Sequence, residues 1–499
     1  MNSALKLVAP APAQSVISKI FDDLGKAEGF VVRPSQITLA EQVSRTLSHT
    51  TGKEGAPGAV CVLEAPTGTG KTLGYLAGAL QARALALARG EEALPIVIST
   101  ATIGLQDQIM VHDIPRLAAV GALDARDVAV AKGRGRYFCP HTAGMLEKKA
   151  AADSQFDMFD VEKEVTSPGQ VIALDMLHKW REKKWNGERD TWTSQMPDCW
   201  AACAASSETC VGRACDHYSS CAYMKSRQKL ATASVIIANH DIVLADLSQR
   251  SEARQAAELG ESRPTTTVLP AKKYQLIVDE AHNLPEKAAA LKEAVVPVGS
   301  QSWLLELKDY EQAAIRFPKV ARAVSATKEA NWSVMTTGAM SINNTLTTVG
   351  STLERTIEFS GSGLYSWGLS APDVKFLPDL AACCGHLRTL EATLSTVARS
   401  LSDMAQDAVG ATKGMMLTLL NKTTQYLRKT KQMSRGLDLF LGDENVVRWV
   451  FQNRKNEISL HCQPMEGADV LDELLWKSGI SVAMVSATLQ ICGSFDRFK

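Results

Sequence analysis

Residues 65–72, Ala-Pro-Thr-Gly-Thr-Gly-Lys-Thr, have the types and spacing to hold a polyphosphate. Gly68 and Gly70 admit backbone angles that a side chain forbids, so successive N–H groups can converge on phosphate oxygens, with Thr67 before the first glycine and Thr69 between the two. Lys71 can reach the β- and γ-phosphates, and the Thr72 hydroxyl can ligate Mg²⁺. A helix starting there adds the partial positive charge of its N-terminus. Ala65 stands where the strict pattern has glycine. A second group, Asp279-Glu280-Ala281-His282, supplies acids. Asp279 can hold Mg²⁺ through water, and Glu280 can orient and polarise an attacking water. His282 joins Lys71, Asp279 and Glu280 as a candidate catalytic residue. Either motif alone has a plainer reading, a Gly-rich turn or a polar strand end. Their pairing points to ATP and Mg²⁺ as ligands.

Both motifs sit at the ends of short apolar runs. These are Val60–Glu64, Ile96–Thr100, Val128–Ala131, Val235–Asn239, Leu276–Asp279 and Val482–Ser486. Runs without polar alternation suit strands covered on both faces. Helical patterns such as Leu73–Leu87 separate the first of them. The fold class expected is α/β, a doubly wound parallel sheet, which binds ligands at the carboxyl ends of its strands. Two long gaps interrupt the strand series, about 133–234 and about 285–477. The second has no strong strand run and is rich in helix-compatible sequence. Both read as domains inserted into the α/β core.

The chain has 499 residues, with 54 Lys+Arg against 54 Asp+Glu. A hydrophobic share of 45% and a charged share of 22% exclude a mostly disordered or collagen-like chain. Zero net charge leaves nucleic-acid contact to local basic patches. Lys132, Arg134 and Arg136 alternate with glycine and suit phosphate contact. Residues His178–Trp185 interleave cations with Trp180 and Trp185, which suits base stacking, or else an exposed helix with its tryptophans packed inward. No apolar stretch approaches the ~20 residues of a membrane span, so no membrane partner is expected. The N-terminal 29 residues read as a disordered leader without a signal-peptide core, and the expected location is cytoplasmic.

Eleven cysteines are unevenly spread, five of them between Cys199 and Cys221. An odd total without an export signal argues against a disulfide framework and toward a metal or iron–sulfur centre. Cys199 and Cys203, at i and i+4, could share a helix face and enter a ligand set. Spacing alone also leaves zinc open. Cys61, Cys383, Cys384, Cys462 and Cys492 suit small core positions.

The two motifs, with Ser486-Ala-Thr488, resemble motifs I, II and III of superfamily-two helicases. Arg33-Pro-Ser-Gln36 resembles the adenine-reading Q motif. Ser99–Gln108, Gly133–Cys139 and Ala238-Asn-His240, taken in order, narrow the resemblance to the DinG branch of the XPD-like iron–sulfur DNA helicases. The resemblance runs from about Phe30 to the C-terminus and is weak between Pro285 and His461. It implies an ATP-dependent DNA helicase of 5′-to-3′ polarity, acting on single-stranded and on forked or structured DNA. It implies a first RecA-like domain with an iron–sulfur insertion and a helical arch. The expected layout is a leader over 1–29, RecA-like domain over 30–132, iron–sulfur insertion over 133–233, RecA-like again over 234–290, arch over 291–470, and a last strand over 471–499. Arg33 and Gln36 would then bind adenine beside the loop 67–72. Ser99, Thr100 and Gln106 would lie near the single strand, and Ser486–Thr488 would couple the ATP and DNA sites. The family's [4Fe–4S] ligands map onto Cys139, Cys210, Cys215 and Cys221, a cluster whose expected role is to tie loops together.

Eleven residues follow Thr488, and no Gln-x-x-Gly-Arg pattern is present. The expectation is therefore the N-terminal half of a motor, poorly active alone, working with a second RecA-like domain or chain. Two alternatives stand beside it: a nucleotide-gated DNA-binding module or partner subunit that never unwinds, and an accessory helicase of a CRISPR or mobile element.

Overall fold

The computed structural model describes residues 15–489 apart from 28, 50–57, 146, 148–167, 194–195, 197–198, 207–209, 211, 259–266, 369–375, 409 and 443–444. Cys492 and most of the expected leader fall outside the described residues. The chain divides into two compact units. One contains the described residues up to Lys287 and from Ala468 on. The other is Ala288–Gly467.

In chain order the strands are β1 (Val60–Glu64), β2 (Ile96–Thr100), β3 (Val128–Val130), β4 (Val235–Asn239) and β5 (Gln275–Asp279) in the first unit. The second unit contributes β6 (Ala294–Pro297), β7 (Leu364–Gly368), β8 (Val446–Gln452) and β9 (Ile458–Pro464). The first unit resumes with β10 (Val482–Ser486). Its six strands form one sheet in the order β1-β10-β5-β2-β4-β3, every pair parallel. This is a mostly parallel α/β fold. The inner strands β2, β5 and β10 are buried along their whole length, which is why they read as continuous apolar runs. Strand β10 lies between β1 and β5, so the register puts Glu64 beside Ser486 and Val485 beside Asp279. Three distant segments thus end at one carboxyl edge.

The leader expectation needs correction. Val16–Gly25 is a helix that buries Val16, Ile17, Ile20, Phe21 and Leu24. Apolar residues at i, i+1, i+4, i+5 and i+8 form a single stripe, and that stripe packs on the sheet unit's core. The helix Pro34–Leu47 crosses the helix Lys71–Ala88 at close range. A Cβ on Gly74 would lie 2.8 Å from the Leu39 side chain, and one on Gly78 would lie 2.3 Å from the Ala40 carbonyl oxygen.

In the second unit two long helices, Leu377–Asp407 and Gly410–Leu441, pack on Ala339–Thr356 around one apolar core. The expectation of no strong strand there is also corrected. An antiparallel sheet in the order β6-β9-β8-β7 covers part of that core. β8 and β9 alternate buried and half-buried positions, so they carry no apolar run. Arg448 further masks β8. Its buried guanidinium donates to the carbonyls of Phe440 (2.7 Å) and Val446 (3.3 Å) and to Gly442 O, closing the end of the preceding helix.

Candidate nucleotide edge and cysteine region

Strand β1 passes through residues 65–70 into the helix Lys71–Ala88. Gly68 and Gly70 both take left-handed backbone angles, φ 77° and 76°, with Gly70 as the helix N-cap. Gln36 closes on this loop. A Cβ on Gly70 would lie 2.0 Å from Gln36 Nε2 and would push that side chain aside, and the left-handed φ itself favours glycine. Gln36 Oε1 accepts from the Arg33 N–H at 3.0 Å, and the Arg33 guanidinium donates to Gly68 O. Thr69 Oγ1 donates to Pro66 O at 2.7 Å, while Thr67 stands exposed on the loop.

Strand β5 ends at Asp279 and turns through Glu280, which takes a left-handed φ of 53° without being glycine. Its backbone N–H donates to Asp279 Oδ1 at 3.0 Å. Lys71 Nζ donates to Glu280 Oε1 at 2.9 Å, and Ser486 Oγ at the end of β10 donates to Glu280 Oε2 at 2.9 Å. His282 Nδ1 lies 2.7 Å from the same Ser486 oxygen. The Tyr75 hydroxyl donates to Asp279 Oδ2 at 3.2 Å and also contacts the Thr72 side chain. Thr72 and Asp279, the two expected Mg²⁺ ligands, therefore share one phenol as neighbour.

The electrostatics divide the acid pair. Burial, then the charge of Glu280, pushes Asp279 up to about 6 against the pull of Lys71. Burial would also raise Glu280, but hydrogen bonds from Lys71 and Ser486 outweigh it and hold that carboxyl below its ordinary value. Glu280 is thus the more acidic member of the pair, and a bound cation would pull the Asp279 carboxyl back toward its ordinary range.

The four expected cluster cysteines, Cys139, Cys210, Cys215 and Cys221, line one small pocket together with His141 and His217. Among the described residues no three His, Cys, Asp or Glu side chains converge on a single-ion position. Cys199 and Cys203 do not line that pocket, although the Cys203 carbonyl accepts from the Cys139 N–H at 2.7 Å. Cys203 is fully buried in an aromatic core with Phe138, Trp185 and Trp200, and Cys199 packs against that core. Burial, then Cys199, pushes the Cys203 thiol up to about 12.

The structure bears on three nucleic-acid readings, and for Trp185 it takes the inward-packed alternative. Trp185 packs inward, 4.9 Å from Trp192 and 5.3 Å from Phe138 between ring centroids, and its Nε1 donates to Glu188 O at 3.0 Å. A ring enclosed in this way cannot stack on a base. Lys132 pairs with Asp190 at 3.0 Å and Arg136 with the same carboxylate, while Arg134 lies over the Tyr223 ring. Local acids and an aromatic face thus occupy all three cations. Ser99, Thr100 and Gln106 are buried, so none presents its side chain to solvent. An open basic cavity does remain in this region, lined by Lys183, Lys225, Lys229 and the edge of Trp180 among others.

No family model matches the chain. It is 27% identical, over 97% of its length, to ATP-dependent DNA helicase DinG of Photobacterium profundum, of which it covers 67%. Against ATP-dependent DNA helicase DinG of Salmonella typhimurium the identity is 27% over 94% of the chain. Against the protein of that name from Escherichia coli it is 26% over 94%. It covers 63% of each of those two. The chain is similar in sequence to these DinG helicases. It spans about two thirds of the length of these curated relatives. The residues that the sequence did not single out are Tyr75, which joins Thr72 to Asp279, and Gly74 and Gly78, which let the Arg33–Gln36 segment dock. Gly74 and Gly78 stand four residues apart in the helix Lys71–Ala88, the spacing of a close helix crossing, and that signal was available. Tyr75 offered none. No described helix is long and apolar enough to cross a membrane.

Proposed function

We propose that this chain is the ATP-hydrolysing part of a DNA helicase that moves along single-stranded DNA, by resemblance in the 5′-to-3′ direction. The observation that carries the reading is the 2.9 Å contact between Lys71 and Glu280, residues 209 positions apart that meet only because β1, β10 and β5 end together. The loop backbone N–H groups and the helix N-terminus would bind the phosphates. Arg33 and Gln36, already fastened to Gly68 and Gly70, would fix the adenine side. Thr72 and Asp279 would hold Mg²⁺, whose charge neutralises the phosphates. A γ-phosphate competes with Glu280 for Lys71. The freed carboxylate can then accept the proton of a water attacking the γ-phosphorus as the bond to ADP breaks. His282 and Ser486 hold that carboxylate in place.

The cysteine pocket supports a [4Fe–4S] cluster on Cys139, Cys210, Cys215 and Cys221. Four thiols around one pocket suit such a cluster. It would tie residues on both sides of 148–167 into one piece. DNA would be met through the cavity of Lys183, Lys225 and Lys229, and a second RecA-like domain or chain would complete the motor.

The test is nucleotide binding and single-turnover hydrolysis by the purified chain with Mg²⁺. Lys71→Ala should weaken ATP binding at least tenfold, the loss of a charge-assisted hydrogen bond. Glu280→Gln should keep ATP binding and slow hydrolysis by about 10²–10⁴. Unaltered ATP binding by Lys71→Ala would sink the reading.

A further inference from the structure

Tyr75 is fully buried on the helix Lys71–Ala88. The reaction above gives its hydroxyl no part. It stands three residues after Thr72, close to one turn along, and side chains on a helix lean back toward the N-terminus. The phenol therefore reaches the first turn, where the candidate phosphate loop ends. There its hydroxyl donates to Asp279 Oδ2 at 3.2 Å and contacts the Thr72 side chain. Asp279 is itself buried, and its Oδ1 accepts from the Glu280 N–H at 3.0 Å.

A phenol has one proton to donate. Given to Asp279, that proton leaves the phenol oxygen as an acceptor only. In its contact with Thr72 the threonine hydroxyl is then the donor. The Thr72 proton is turned inward, and the lone pairs of its oxygen are left for a cation. Each Asp279 oxygen likewise has one donor fixed by the fold, Tyr75 on one side and the Glu280 backbone on the other, so the carboxylate is held against rotation. The donor set fits Mg²⁺, because a hydroxyl and a carboxylate are both hard oxygen ligands. Two protein oxygens suit a small cation that keeps several of its waters and demands near-ideal geometry, as Mg²⁺ does. Ca²⁺ accepts more ligands in looser geometry, so selectivity between the two follows the number and rigidity of the ligands. A rigid pair favours Mg²⁺, and a pair free to move gives that advantage up.

We propose that Tyr75 is a positioning residue that sets the cation preference of this edge, favouring Mg²⁺ over Ca²⁺ by fixing the Thr72 hydroxyl and the Asp279 carboxylate relative to each other. This role rests on the nucleotide reading above and adds to it the residue that chooses the metal.

The experiment measures the affinity of the full chain for a fluorescent, non-hydrolysable ATP analogue in EDTA, in Mg²⁺ and in Ca²⁺. The wild type should bind the analogue at least about fivefold more tightly with Mg²⁺ than with Ca²⁺, the size of one hydrogen bond's net contribution. Tyr75→Phe keeps the ring in the core and removes only the hydroxyl. It should bind within about twofold of the wild type in EDTA, lose about fivefold or more in Mg²⁺, and bring the Mg²⁺-to-Ca²⁺ ratio within about twofold of one. A wild-type ratio already below about twofold overturns the proposal with no variant needed. An unchanged ratio in Tyr75→Phe overturns it as well. So does an equal loss of affinity in EDTA and in Mg²⁺, because the hydroxyl would then only hold the loop. A wild type that binds the analogue under none of the three conditions, or Lys71→Ala binding it as tightly as the wild type, overturns the nucleotide reading and the cation preference with it.

Discussion

Asp279 and Trp185 are both buried, in regions that the same chain builds differently. At the candidate nucleotide edge, burial opposes the residue's chemistry. Asp279 is pushed up to about 6 largely by burial, and its neighbour Glu280 holds a backbone angle that side chains disfavour. The parallel sheet over-determines both, so the edge can bear the cost. In the cysteine region burial is the source of order. Trp185, Trp192, Trp200 and Phe138 form a small core, and nearby cations are neutralised by Asp190 and Glu188. The contrast teaches that residues marked out by their chemical type weaken the fold in one place and hold it together in another.

Four substitutions break or sharpen that contrast, taken from the largest effect to the smallest. Trp185→Ala should destabilise the chain by about 3–5 kcal/mol, as large aromatic truncations do. Thermal unfolding measures this, and a full-strength melting transition with weakened DNA binding would restore a stacking role. Asp279→Asn should act in the opposite sense, raising stability without nucleotide at pH 7 by ~1–3 kcal/mol while weakening Mg²⁺-dependent nucleotide binding. The sign follows from the raised pKa. The folded protein retains a proton that the unfolded chain releases, so the wild type loses this part of its stability as pH rises from about 4 to about 6. The variant should lack that component of the slope in melting temperature against pH. Gly78→Ala should cost about 1–3 kcal/mol, because the new methyl meets the Ala40 carbonyl, and should loosen ATP binding through the displaced Gln36. An unchanged nucleotide affinity would detach the Arg33–Gln36 segment from the site. Lys183→Gly should stabilise by about 0.5–1 kcal/mol, since Lys183 holds a φ of 59° that glycine adopts freely. Its effect on oligo-dT binding measures how far that cation serves the open basic cavity.

Much of the sheet was legible because the parallel strands covered on both faces, β2, β4, β5 and β10, are apolar along most of their length, and the half-exposed edge strand β1 is nearly so. β1, β2, β4 and β10 therefore have the bounds their apolar runs suggest, and β5 starts one residue earlier, at Gln275. The second unit's strands were not legible, because half-buried antiparallel strands alternate and Arg448 interrupts the alternation at a buried position. The helix Val16–Gly25 was obscured by the Pro- and Ala-rich residues before it, although its apolar stripe is regular. In the site, glycines and charged residues were visible by type. The contacts of Lys132, Arg134 and Arg136 were not, since a basic run looks the same whether it faces a phosphate or an aspartate.

The sequence by itself determined most of the parallel strands, where the candidate phosphate loop lies and which acids could meet it, because covering a strand on both faces and approaching a phosphate each restrict residue type locally. Only the tertiary structure decided that Lys71 holds Glu280, that Tyr75 joins Thr72 to Asp279, and that the tryptophans turn inward. Those outcomes depend on which strand ends become neighbours in the sheet. Strand order is set by the packing of the whole unit and leaves no mark on the residues it brings together.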